Sequence, residues 1–150
     1  MLEDKLEQDI KTALLARDTQ RVIALKQIKS VLLNAKVATG KRESGLSDEE
    51  VVVLFAKEAK KRQESADLYR QGGNEERAQA ELNERTIIEE YLPAQVDEAE
   101  LEKIVDKVIA ETGASSPQSM GQVISQVKKI AGPTSDGGTI ARIVKEKLTT

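Results

Sequence analysis

Catalysis and ligand capture need groups that change charge, donate an electron pair or hold a phosphate. This 150-residue chain offers a narrow selection of them. It carries 23 Lys and Arg and 26 Asp and Glu, but no His and no Cys. Thiol nucleophiles, Cys/His zinc sites, haem ligation, disulfides and every triad that turns on an imidazole are therefore excluded. Nothing titrates near neutrality unless a carboxyl or an ammonium is strongly displaced. Cations and carboxylates remain. Between Thr19 and Arg42 there are six cations, Arg21, Lys26, Lys29, Lys36, Lys41 and Arg42, and no acid, so this stretch is +6 and the other 126 residues sum to −9. Such a strip has the charge to track a phosphate backbone while the rest of the molecule stays acidic. Its plainer reading is a solvated helix face turned toward acidic neighbours. A second group, Lys57, Lys60, Lys61 and Arg62, is interleaved with Glu58 and Glu64 and reads as a solvated face with a Glu58–Arg62 pair. Asp48-Glu49-Glu50 fits an opening helical turn, where negative charge complements the helix dipole.

Several other chemistries lack their vocabulary. There is no Glu-x-x-His partner for a carboxylate metal site, and the glycines form neither Gly-x-Gly-x-x-Gly nor a Walker loop. No metal, cofactor or catalytic residue is expected. Phe55, Tyr69 and Tyr91 are the only aromatics, which leaves no platform for stacking splayed bases. A net charge of −3 and a pI near 5.2 argue against a generally basic nucleic-acid binder, and no DNA partner is expected. No apolar run approaches the roughly 18 residues of a membrane span. Met1-Leu2-Glu3-Asp4 places acids where a secretory signal has basic and then apolar residues. A cytoplasmic protein with no membrane partner is expected.

The elements that must position these groups are helices from end to end, because apolar residues recur at helical spacing and no stretch alternates for long. Leu2, Leu6, Ile10, Ala13 and Leu14 line a first helix. Asp18 or Thr19 caps a second, with Val22, Leu25, Ile28, Leu32 and Ala35 inward, and residues 39–46 form a loop. Ser47 and Glu50 have the spacing of a capping box for a third helix, which turns Val51, Phe55, Ala59, Ala66 and Tyr69 inward. Gly72-Gly73 stops it, and Asn74 caps a fourth with Ala78, Leu82, Ile88 and Leu92 inward. Pro93 marks a boundary between residues 1–92 and 93–150. Beyond it Val96, Asp97, Glu100 and Leu101 have the spacing of a capping box with a hydrophobic staple, followed by a stripe of Leu101, Ile104, Val105, Val108 and Ile109. Ser116-Pro117 opens the next helix, with Met120, Val123, Ile124, Val127 and Ile130 inward, and Gly132-Pro133 ends it. A last helix after Asp136-Gly137-Gly138 carries Ile140, Ile143, Val144 and Leu148. The expectation is an all-α, multihelical chain: four long helices, then three short ones in a compact C-terminal domain.

Lys60-Lys61-Arg62-Gln63-Glu64-Ser65, Tyr69, Gly72 and Glu89-Glu90-Tyr91-Leu92-Pro93-Ala94-Gln95, with Met120-Gly121-Gln122-Val123 and Asp136-Gly137-Gly138 in the tail, resemble the YqeY family over nearly the whole chain. The resemblance implies a two-part helical fold whose C-terminal part is similar to the tail domain of the B subunit of the tRNA-dependent Glu/Asp amidotransferase. In that enzyme the tail helps hold the tRNA body, and the chemistry lies in a larger core that has no counterpart here. Gln122 stands where the family usually has a basic residue. Gly132-Pro133-Thr134-Ser135-Asp136-Gly137 is one residue longer than the family's Gly-Arg-Ala-Asp-Gly and lacks its arginine. The tail cations left are Lys128, Lys129, Arg142, Lys145 and Lys147.

The expected function is therefore non-catalytic recognition of tRNA or another structured RNA by shape and phosphate contacts. The expected contact residues are Arg21, Lys26, Lys29, Lys36, Lys41, Arg42, Lys128, Lys129, Arg142 and Lys145. The alternatives are a protein–protein adaptor for an amidotransferase or synthetase component, and a glutamine-dependent carbon–nitrogen ligase implied by the relationship alone.

Overall fold

Capping chemistry sets most of the helix boundaries in the computed structural model, which describes residues 1–149. The chain divides into two compact units, Met1–Leu92 and Pro93–Thr150. In the first, α1 (Leu2–Leu15) leads into α2 (Thr19–Ala38), whose first turn is capped by Asp18 Oδ1 accepting from the Arg21 amide at 3.1 Å. Before α3 (Asp48–Gln71) the capping box is complete. The Glu50 amide donates to Ser47 Oγ at 3.2 Å, and the Ser47 amide donates to Glu50 Oε2 at 2.9 Å. Gly73, at a φ of +77° that suits glycine, turns the chain into α4 (Glu75–Glu89), and Asn74 Oδ1 accepts from the Arg77 amide at 3.1 Å.

With so short a connection α3 and α4 form a hairpin, the most extensive helix pairing in the molecule. The core joins Leu6 and Ile10 of α1, Leu25, Ile28 and Leu32 of α2, Val51 and Phe55 of α3, and Ile88 and Tyr91 at the end of α4. Ala66 and Ala78 are fully buried further along the α3–α4 hairpin, small side chains that let the two backbones approach.

In the second unit Asp97 Oδ1 accepts from the Glu100 amide at 2.8 Å and starts α5 (Glu98–Thr112), which Gly113 ends in the left-handed region at φ +67°. Pro117–Ser119 forms a 3₁₀ turn, α6 runs Met120–Ala131 and α7 runs Gly137–Thr149. Asp136 Oδ2 accepts from the Thr139 amide at 3.2 Å and from its hydroxyl at 2.7 Å. The core of this unit is aliphatic: Leu101, Val105, Val108, Val123, Val127, Ile140, Ile143, Val144 and Leu148. The loop before α7 is tied down by Gln95, whose amide nitrogen donates to the Thr134 carbonyl at 2.9 Å.

The described residues form helices and no strand, as the periodicity predicts. Four local expectations are corrected. Leu14 and Ile130, expected inward, are 52% and 54% exposed. Both lie in the last turn of their helices, where the apolar stripe outruns the neighbour that should cover it. The segment opened by Ser116-Pro117 is a tight 3₁₀ turn, and α6 proper begins at Met120. Finally, α5 has 15 residues, the same as α4, so the long helices are not confined to the first unit.

Candidate nucleic-acid interface

A phosphate-binding surface needs cations that are exposed and not already neutralised. On α2 most of the strip fails the second condition. Arg21 makes a bidentate pair with Glu90 at 3.1 and 2.7 Å, and that carboxylate holds its guanidinium further toward the charged form. Lys29 meets Glu7 of α1 at 2.6 Å, Lys36 meets Glu3 at 3.3 Å, and Lys41 is paired with Glu50. Lys36 is also the most enclosed of them, its side chain 16% exposed. Lys26 and Arg42 are exposed and have no ion-pair partner among the described residues. The +6 stretch is thus largely compensated by carboxylates from α1, from the end of α4 and from the first turn of α3. Beyond a Debye length, about 8 Å in physiological salt, such pairs present little net charge.

The tail set is also divided. Arg142 is engaged twice, by Glu98 and by Glu146 at 3.2 Å. Lys147 lies 3.3 Å from Asp106. Lys128 and Lys129 sit in the last turn of α6, where positive charge complements the helix dipole. They and Lys145 of α7 are exposed without an ion-pair partner among the described residues. The open groove of this unit is lined by Asp97, Glu98 and Asp136 together with Gln95, Val96, Leu101 and Thr139. Its charge is negative, the wrong sign for a phosphate.

Sequence reasoning passed over the cations that the fold leaves available. Lys57, Lys60 and Lys61, spaced i, i+3, i+4, share the outer face of α3. All three are exposed, and no carboxylate among the described residues pairs with them. Their interleaving with Glu58 and Glu64 made them look compensated, yet Glu58 turns to Arg62 at 3.2 Å instead. The helical wheel carries the signal: residues 57, 60 and 61 fall on one side of α3 together with the exposed Glu64, and 58 and 62 fall on another, so the face carries three cations and one acid.

Arg62 itself is a hub. It meets Glu58 of its own helix, and Glu81 and Glu84 of α4 at 3.0 and 3.5 Å, so three carboxylates share one guanidinium. Burial and the neighbouring Glu81 push the Glu84 carboxyl above its usual range. The Arg62 Nε is buried without a hydrogen-bond partner. A cavity of about 20 Å³, room for roughly one water, adjoins the cluster and is lined by Ala24, Gln27, Ile28 and Ile88 as well as by Arg62, Glu58 and Glu84. It is too small for an organic substrate, and the network acts to lock α3 to α4. At the other end of the hairpin the Tyr91 hydroxyl donates to Asp9, and its ring meets Phe55 edge-on at 5.8 Å.

The geometry is that of a helical protein in two units, with the cations of α2 largely paired and three lysines on one face of α3 that make no ion pair among the described residues. The chain belongs to the YqeY family: the family model described as "Yqey-like protein" matches residues 3–148. No curated protein matches the chain in sequence. No helix among the described residues is long and apolar enough to cross a membrane.

Proposed function

We propose that this YqeY-family chain is a non-catalytic accessory protein that engages tRNA or similarly structured RNA through phosphate contacts. The observation that carries this reading is the set Lys57, Lys60 and Lys61, three cations within about one helical turn of each other on an exposed face that outnumber its one acid, Glu64, and make no ion pair among the described residues. Lys128, Lys129 and Lys145 supply a second contact in the unit whose sequence resembles an amidotransferase tail. Ammonium groups on flexible stems suit shape-and-phosphate recognition, which needs point charges and not base-edge readers. Arg21, Lys29, Lys36, Lys41 and Arg142 hold helices together in this reading and contribute little to RNA affinity.

The test is a mobility-shift titration of the full chain with total tRNA at two salt concentrations, using the wild type and two variants. One carries Lys57, Lys60 and Lys61 changed to Gln, the other Lys128, Lys129 and Lys145 changed to Gln. Saturable binding that weakens with salt is expected. Each variant should flatten the salt slope, by roughly 0.7–0.9 for every phosphate that the protein no longer neutralises. Absence of saturable binding at low salt overturns the proposal, as does binding unaltered by both variants.

A further inference from the structure

The face of α2 opposite the core has an unusual composition. Ile23, Leu33 and Val37 are 52%, 45% and 63% exposed, although the inward face of the same helix already buries Val22, Leu25, Ile28 and Leu32. With Lys26 and Ser30, both exposed, these residues recur at spacings of three, four, three and four. Those are the spacings of the a and d positions of a coiled coil over two heptads, with three of the five positions aliphatic, on the outside of a helix that also fills a core. A helix apolar on both faces ordinarily lies between two packing layers, and here only one layer is present.

Charge identifies what fits the second. Flanking cations of α2 are each met by a carboxylate of this chain: Arg21 by Glu90, Lys29 by Glu7 and Lys36 by Glu3. Lys26, within the seam, has none among the described residues. A second copy of α2 laid across the seam cannot supply one, because residues 19–42 contain no acid. Such a pairing would desolvate the Lys26 ammonium against aliphatic side chains, which is costly without a counter-charge. A phosphate backbone would satisfy Lys26 but leave Ile23, Leu33 and Val37 facing polar sugar and phosphate.

We infer that the outer face of α2 is a docking surface for an amphipathic helix of another protein, one with aliphatic residues at a and d and a Glu or Asp opposite Lys26. The aliphatic seam supplies the contact area, and the Lys26–carboxylate pair sets register and orientation, the role a single polar seam residue commonly plays. The surface is separate from the lysines of α3, so the inference stands independently of RNA binding.

The test uses the full chain and two synthetic helical peptides of three heptads. Both have Leu and Ile at a and d; one carries Glu opposite Lys26 and the other Lys. Fluorescence anisotropy is expected to give saturable binding of the Glu peptide and binding of the Lys peptide weaker by about tenfold. Lys26→Glu should reverse that preference, and Leu33→Gln with Val37→Gln should abolish binding of both. These exposed substitutions should leave the helical circular dichroism unchanged, and Leu33→Gln with Val37→Gln should leave the tRNA mobility shift unchanged as well. Equal binding of the two peptides, indifference to Lys26→Glu, or no saturable binding overturns the inference. Concentration-dependent dimerisation of the chain alone in sedimentation, abolished in the Leu33→Gln/Val37→Gln variant, assigns the face to a second copy and overturns it too.

Discussion

Tyr91 combines two separable functions, a ring packed edge-on against Phe55 and a hydroxyl bonded to Asp9. Tyr91→Phe keeps the first and removes the second, and urea unfolding should show a loss of about 1 kcal/mol. Tyr91→Ala leaves a cavity beside Phe55, and about 3–5 kcal/mol is expected. Burial alone raises the Asp9 carboxyl, but the bonds from Tyr91 and Lys5 outweigh it and hold the group below its usual range. A carboxyl so lowered contributes stability above the unfolded carboxylate range, and that stability is lost as pH falls through the folded value. Tyr91→Phe should therefore weaken the acid sensitivity as well as the fold. Glu84 works with the opposite sign. Its carboxyl is raised, so the native state binds that proton more tightly than the unfolded chain does. Its contribution is most favourable below the unfolded range and declines as pH rises through the folded value. Glu84→Gln should raise the midpoint of thermal unfolding at neutral pH by about 2 °C and have no such benefit near pH 4, as two melts would check.

At the scale of single elements the chain is well punctuated, and each cap offers a local test. Ser47→Ala removes one half of the box in front of α3 and should cost about 1 kcal/mol in equilibrium unfolding. These boundaries were legible in the sequence because a cap and its recipient lie three residues apart: Asp18, Ser47, Asn74 and Asp97 each accept from an amide in the helix they precede. Inward faces were legible for the same reason, since helical periodicity is a local property. Leu14 and Ile130 show where that ends: the pattern says which way a side chain points, but not whether anything lies there. The candidate interface was much less legible. Whether Lys29 or Lys57 is available depends on carboxylates delivered by other helices, and pairing distances across a tertiary fold are not written in a charge count. Arg62 shows the converse, being one of four basic residues in a short run yet the only one drawn inward by Glu81 and Glu84 of α4. Several residues that carry the family resemblance, Arg62, Tyr91 and Gln95 among them, have structural work that accounts for their chemistry.

The molecule as a whole is built on two separate cores. A unit of 58 residues is small but within the range that folds alone. Val127→Ala should remove about 2 kcal/mol from the second core and shift a single calorimetric transition, leaving the one owned by the first unit in place. A common shift of all the heat absorption would show that the units unfold together. The placement of the rings makes that distinction unusually accessible. Phe55, Tyr69 and Tyr91 all precede Pro93, so the second unit absorbs no near-ultraviolet light through its side chains. Tyrosine emission and near-ultraviolet dichroism thus witness the first unit alone, whereas far-ultraviolet dichroism counts the helices of both. The Tyr91 hydroxyl donates to the Asp9 carboxylate in the folded unit, so loss of that bond on melting of the first unit should register in the tyrosine emission, a change to which the second unit is blind. The chain comes already labelled, in one half only, for following its two parts separately.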